Sequence, residues 1–390
     1  MVWAFSLVNN AYADENDVLR PYINLSYLYD DNIRRLSNSQ QALAYTGSKK
    51  MSDGISTGTV GIIFDKKISQ QEIYIDLNAY KAEYSSFSNL NYDGNEFTGR
   101  WNWHIGNHLE GLLEEYRVQT ALPFASFQGI YNTVNYTQNR STMDLKWHFH
   151  PDWQLRSELQ RYEVNYNNSS LSLYNRTEDA IEVGVDYLPS TNSHIGVQLR
   201  HVTGELPVHQ QIFIFSISNN YDQNEFKANV DWAFSDKTSL QFVGGIVDRK
   251  YDQVSERNYT GFNARGSVKW LPTVKTVLSL TGFREIGSVI DVTSTYTLSQ
   301  GVSADVSWET TNKVSMNGNV TYQNLDFIGD AIFGSSQRSD TLKSGSISFV
   351  YKPIKPVTLN ASLTRSDRTS TISSYDFTSN AIMFSAQYEF

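Results

Sequence analysis

Few groupings in this 390-residue chain could perform chemistry. His148 and His150 stand two apart, a spacing that places two imidazoles on one face of a strand, as a metal pair requires. No third ligand accompanies them, and His150 abuts Pro151-Asp152, a turn. Asp30-Asp31, with a Glu or His from another loop, has the makings of an acid–base pair. Solvated or cation-bridged acids are the simpler reading of such a pair. A G-x-S-x-G elbow, a P-loop, an H-E-x-x-H helix and a Gly-rich dinucleotide fingerprint are missing. The chain has no Cys, so disulfides and thiolate metal sites are excluded. No enzyme activity, cofactor or metal is expected.

The remaining reactive side chains fall into one pattern, a polar residue at every second position. Asp144, Lys146 and His148 alternate with Met143, Leu145, Trp147 and Phe149. Lys227, Asn229 and Asp231 alternate with Ala228, Val230, Trp232 and Phe234. Asn263, Arg265, Ser267 and Lys269 alternate with Phe262, Ala264, Gly266, Val268 and Trp270. Period two means strands with one apolar and one polar face. Only 40% of residues are hydrophobic and 19% charged, with 24 Tyr, 20 Phe and 8 Pro. No stretch approaches the roughly twenty apolar residues of a membrane helix. A net charge of −9 argues against a sequence-independent nucleic-acid binder, so no nucleic-acid partner is expected.

These strands must be positioned as hairpins. Short turns are read at 65–67, 106–108, 150–152, 188–192, 235–237, 271–273, 309–312 and 352–356. An aromatic precedes each within three residues: Phe64, Trp103, Phe149, Tyr187, Phe234, Trp270, Trp308 and Tyr351. The opposite ends, at 30–52, 118–135, 162–176, 202–224, 326–339 and 368–380, are long and rich in Asn, Ser, Asp and Tyr. Short turns at one end and long polar loops at the other predict an outer-membrane β-barrel. The turn-side aromatics, with the terminal Phe390, would form its periplasmic girdle. A repeat near forty residues would also suit a propeller, but each interval holds two long strands, not four short ones. The expected fold is all-β: one closed antiparallel barrel of about 18 strands (16–18), from 21–29 to 381–390. Residues 1–13 read as a signal-peptide remnant ahead of a barrel at 14–390. Outer-membrane lipid and lipopolysaccharide are the expected surroundings.

If the apolar face meets lipid, the polar face lines the lumen. Its candidates are Tyr74, Tyr80, Glu96, Arg100, His104, Glu114, Tyr116, Asp144, Lys146, Arg156, Glu158, Tyr162, Glu182, Asp186, Arg200, Lys227, Asp231, Arg265, Lys269 and Asp305, with Glu110, His148 and Arg249 beside them. Charge there requires water or partner charges. Signs are mixed, which predicts no sharp ion selectivity. The tyrosines could stack on sugar faces or simply fill the rim. Apolar patches in the loops at 122–131 and 212–217 either narrow the lumen or extend the wall.

The segment Pro21-Tyr22-Ile23-Asn24-Leu25-Ser26-Tyr27-Leu28-Tyr29-Asp30-Asp31-Asn32-Ile33-Arg34-Arg35-Leu36 resembles the opening of the EpsL-type proteins of bacterial exopolysaccharide operons. Chain length, aromatic-turn hairpins and the terminal Phe are similar to that family too. The resemblance implies export of a hydrophilic polysaccharide through the lumen, with periplasmic polysaccharide-export proteins as partners, and brings no catalytic residues. Two other expectations stand beside it: a diffusion porin for small hydrophilic solutes, and a structural or assembly barrel plugged by its own loops.

Overall fold

A computed structural model describes residues 17–125, 132–189, 193–212, 215–287, 294–329 and 338–390. The candidate signal segment 1–13 and residues 126–131 lie outside them. The chain forms one closed antiparallel barrel, an 18-stranded sheet among the described residues. Strands run from 12 residues (Leu19–Asp30) to 18 (Ser294–Thr311). Each pairs with its chain neighbour. The first strand also pairs with the last, Phe377–Glu389, from Tyr22 opposite Glu389 to Asp30 opposite Ala381. The Phe390 N–H donates to the Pro21 carbonyl at 2.8 Å, so the terminal residue completes the closure.

The motif at the end of the first strand locks this seam. Asp30 accepts from the Asn32 N–H (2.8 Å) and the Ser379 hydroxyl (2.7 Å), and pairs with Arg35 at 2.7 Å. Asp31 accepts from the Asn380 N–H and side-chain amide, both at 2.7 Å. Asn32 donates to the Leu36 and Thr378 carbonyls. Closing the first strand on the last consumes every one of these groups.

Among the described residues the short turns lie near their expected places with three shifts; residues 190–192 of the expected 188–192 turn lie outside them, and the strand Ser294–Thr311 runs through most of the expected 309–312 break, with Glu309 opposite Ser315 and Thr311 opposite Val314. The strand Asp53–Ile68 runs past the expected break, pairing Lys66 with Ile73 and Lys67 with Glu72, and turns at Ser69-Gln70 with Ser69 at φ 57°. Both lysines can follow the strand into water at the periplasmic edge, so a charge pair there does not mark its end. The strand Tyr259–Thr273 likewise continues through Leu271-Pro272, with an irregularity between Trp270 and Thr273.

Four extracellular ends share one construction. A 3-10 turn (Ser88–Leu90, Ser172–Tyr174, Ser255–Arg257, Ser373–Tyr375) is followed by Asn91, Asn175, Asn258 or Asp376. That side chain accepts from the backbone N–H of Tyr84, Tyr166, Tyr251 or Ser370, at 2.6–2.8 Å. The Asx residue thus caps the outgoing strand and starts the next. Longer connections intervene, one carrying the helix Ser39–Thr46 and another the small hairpin Gln210–Ile212 with Phe215–Ile217. Much of what reads as loop at 162–176, 202–224 and 368–380 is strand: Trp153–Tyr166, Arg176–Tyr187, His194–Glu205, Tyr221–Ser235 and Val357–Ser370. In this upper half the outer face turns polar, as at Arg161, Glu163 and Thr203, so alternation of hydropathy fades although alternation of direction does not.

Candidate functional site: a lumen with two unlike walls

Register fixes which side chains share the interior. Tyr74 lies opposite Arg100, Arg100 opposite Glu114, Asp144 opposite Glu158, and Glu158 opposite Glu182. Glu182 lies opposite Arg200, and Lys227 opposite Gln198. The lumen candidates named above all lie on the interior face of their strands.

Ion pairs join many of them into a column up one wall. At its base Glu110 is met by His104 (3.3 Å), Lys146 (3.5 Å) and His148 (3.7 Å). Arg100 donates to Glu114 at 2.8 and 3.0 Å. On the neighbouring strands Arg156 bridges Asp144 (3.0 Å) and Glu158 (3.1 Å). Arg200 lies 3.6 Å from Glu158 and 3.8 Å from Glu182, and donates to Gln160 at 2.9 Å. Lys227 reaches Glu182 (3.5 Å) and Glu225 (2.7 Å). Beside these, buried Asp186 accepts from Gln154 (2.7 Å) and Asn229 (3.0 Å), and Asp231 meets His194 at 3.0 Å.

The column continues towards the extracellular mouth, where Tyr221 and Gln223 join it from the strand Tyr221–Ser235, in a stretch whose sequence reads as loop. Gln223 accepts from Arg249 at 2.7 Å, and the Arg249 guanidinium lies 4.2 Å above the Tyr221 ring. The Tyr221 hydroxyl donates to Glu178, also 2.7 Å, and Glu178 pairs with Arg176 at 2.9 Å. Arg176 covers Tyr162, and Arg140 covers Tyr116. The Tyr80 hydroxyl donates to Thr120 at 2.7 Å and its ring meets Tyr92 edge-on. Glu96 lies in register with Asn78 and Val118. Their one available signal was parity carried past the point where the outer face loses its apolar residues.

The other wall differs. From Thr276–Gly287 to the last strand, interior positions are mostly Ser, Thr and Asn, among them Thr281, Ser299, Asn319, Ser346 and Ser362. Arg265, paired with Glu285 at 2.7 Å, stands near the boundary. Lys269 is exposed there with no ion pair among the described residues, and Asp305 accepts from Asn319 at 2.6 Å.

Near the mouth, Arg368 Nη1 donates to the Ala125 carbonyl at 2.8 Å, and Arg34 lies between Phe87 (5.2 Å) and Phe124 (5.3 Å). Residues from the base of the connection after Leu109–Ala121 therefore reach a strand a third of the way round the ring and narrow the passage. His150 falls in a turn with Asp152, away from His148. Among the described residues no three donor side chains cluster as a metal would require. On the outer wall, Phe149, Tyr187, Phe234, Trp270, Trp308, Tyr351 and Phe390 stand exposed beside the periplasmic turns, and Phe64 and Trp103 are half-buried on the same face.

Similar proteins bear on this architecture. Residues 214–390 match the family model described as "Putative beta-barrel porin 2". OpdK of Pseudomonas aeruginosa, solved with vanillate, superposes over 95% of this chain and 99% of its own, with TM-score 0.51 and 9% identity. OccK2 (OpdF) of the same organism gives TM-score 0.52 at 9% identity over 95% and 98%. A BenF-like porin of Pseudomonas fluorescens Pf-5 gives 0.51 at 9% over 95% and 99%. No curated protein matches the chain. The comparisons correct the EpsL-type resemblance and, with it, polysaccharide export: the matching family model and the similar barrels are porins. Export partners and polysaccharide find no support there. The misleading segment 21–36 lies outside the matched residues, and its Asp-Asp-Asn-Ile-Arg-Arg-Leu text does the work of closing a barrel seam, which any cargo would need. The chain is a closed antiparallel barrel of the bacterial outer membrane, seated in its lipid.

Proposed function

We propose that this barrel is a passive channel for small hydrophilic solutes, with a preference for anions. One observation carries the preference: at the mid-column pairs Arg100–Glu114, Arg156–Asp144, Arg200–Glu182 and Lys227–Glu182 the cation is the more exposed partner. Arg156 is 30% exposed against 11% for Asp144, and Arg200 is 20% exposed against 5% for Glu182. A solute in the lumen meets guanidinium and ammonium groups first. The carboxylates behind orient those groups and keep them from collapsing onto one another.

Two adjoining cavities of about 420 and 660 Å³ share Arg200, Lys227 and Arg265. Each is sized for one small molecule. The porin description of residues 214–390 and the vanillate bound by OpdK support the small-solute reading. Binding must stay weak at successive sites for a solute to leave as readily as it enters. The reading assigns the lumen no catalytic step.

Planar-bilayer recording across a KCl gradient tests it. The expected reversal potential has the sign of anion preference, and Arg200→Gln combined with Lys227→Gln moves it towards zero. A cation-selective wild type, or a barrel with no conductance, defeats the proposal.

A further inference from the structure

The larger of the two lumen cavities, about 660 Å³, holds more cations than its acids can answer. Arg140, Arg176, Arg200, Lys227, Arg249 and Arg265 line it against Glu178, Glu225 and Glu285. Each of those acids is already taken: Glu178 by Arg176 (2.9 Å), Glu225 by Lys227 (2.7 Å) and Glu285 by Arg265 (2.7 Å). Arg200 leans on Glu158 and Glu182, which line the smaller cavity. That leaves Arg140 and Arg249, and among the described residues neither makes an ion pair. Arg140 lies 5.8 Å from the Tyr116 ring, and Arg249 bonds only to the neutral Gln223 beside its contact with Tyr221.

A guanidinium drawn partly out of water with no opposite charge costs free energy that a bound anion recovers. The two such groups stand apart. Register counts five strand pairings from Asn135–His150 to Thr238–Tyr251, about 24 Å along the wall at roughly 4.8 Å each. A compact anion can meet one of them, whereas two anionic groups joined by a short chain can meet both. The tyrosines of the lining offer little to an aromatic solute. Tyr221 is held between the Arg249 guanidinium and Gly204, where a Cβ would come within 2.4 Å of the ring. Tyr162 is covered by Arg176 at 5.3 Å and packs against the cluster of Leu122, Val134, Val164 and Tyr166.

We infer that this cavity selects a non-aromatic dianion, two carboxylates on a short aliphatic chain, with Arg140 and Arg249 each meeting one of them. The inference rests on the anion preference proposed above and narrows it to one class of solute. That class differs from the aromatic vanillate solved with OpdK. The paired cations around the cavity keep it positive on every side, and the two unpaired ones set the number of charges that the solute must bring.

Single channels of the full-length chain are recorded in KCl at about pH 8, where phosphate is dianionic. The quantity read is the concentration of added solute that halves the current. Succinate and adipate are compared with butyrate and hexanoate, which match them in length with one carboxylate, and with benzoate and inorganic phosphate. The better dicarboxylate is expected to block at about a tenth of the concentration of its matched monocarboxylate, the worth of one added charge-assisted contact. Arg140→Gln and Arg249→Gln should each erase that difference, and Arg140→Lys, which keeps the charge, should retain most of it. Equal blocking by matched di- and monocarboxylates, in a channel that is anion-selective in KCl, overturns this inference and spares the reading beneath it. Cation selectivity in KCl removes both. Benzoate blocking more tightly than either dicarboxylate overturns the inference, and so does phosphate matching them, which would put both charges at one point. A dicarboxylate advantage that survives both Gln variants overturns it too.

Discussion

The two walls of the lumen are built from the same alternating strands but hold their interior in opposite ways. Strands from Gln71–Tyr84 to Tyr259–Thr273 send in long charged side chains that tie one another down, as Arg156, Arg200 and Lys227 do through Glu158 and Glu182. The strands that follow send in short neutral ones, which bond locally, as Thr281 does to Ser267 at 3.0 Å. Long side chains occupy the cross-section and short ones leave it free. The contrast predicts an opening whose size depends on the neutral wall and whose preference depends on the charged one. The family match at 214–390 takes in most of the neutral wall and leaves out the charged strands before it.

The comparison breaks most readily at Glu182. Its side chain is 5% exposed, and both Arg200 and Lys227 lean on it. Glu182→Leu removes the carboxylate shared by Arg200 and Lys227, which keep only Glu158 and Glu225, a loss of about 2 kcal/mol, below the cost of a fully broken buried pair. Urea unfolding in liposomes measures it, and a change below about 1 kcal/mol would mean that lumen water already does the carboxylate's work. The same substitution should increase anion preference in the folded fraction.

A comparable loss is expected higher on the same wall. The Tyr221 ring lies flat over Gly204, where a Cβ would come within 2.4 Å of it. Gly204→Val must lift that ring, breaking its bond to Glu178 and its stacking with Arg249. Overpacking of this kind costs roughly 1–3 kcal/mol. If Tyr221 fluorescence and unfolding midpoint both stay unchanged, the upper column is looser than its geometry implies.

How much of this was readable beforehand differs between the walls. Where the outer face is apolar, residues such as Met143, Leu145 and Trp147 reveal the strand, and the interior parity of Asp144 and Lys146 follows. Above Arg161 and Thr203 both faces are polar, so Tyr221 and Gln223 read as loop although they belong to the column, and Glu178 and Glu225 beside them show no alternation that marks them as lumen residues. The pairing itself is a matter of register. Nothing local says that Arg200 meets Glu158, 42 residues earlier, until strands are aligned. The weakly alternating segment 275–283 belongs to a genuine strand, Thr276–Gly287, because the neutral wall asks only for small polar residues and so offers little contrast. The opening motif failed for a related reason. Its acids and arginines looked like a family signature, but Asp30 and Asp31 are held by Ser379 and Asn380 at the closure, Arg35 by Asp30, and Arg34 by Phe87 and Phe124.

The smallest effect is expected on the neutral wall, and it is the sharpest control on the contrast. Ser362 lies in register with Ser348 and Met383, in a part of the wall without charge. A surface-like substitution such as Ser362→Ala, which removes one hydroxyl that water can replace, should stay within about 0.5 kcal/mol. Its conductance and reversal potential should match the wild type. Ser362→Arg at the same position puts a long cation into the open side of the lumen. It should cut conductance by about half with little change in stability, because lumen water solvates the charge that lipid would not. Were Ser362→Arg to conduct normally while Arg265→Gln raised conductance, the path would lie against the charged wall and the assignment of the two walls would have to be exchanged.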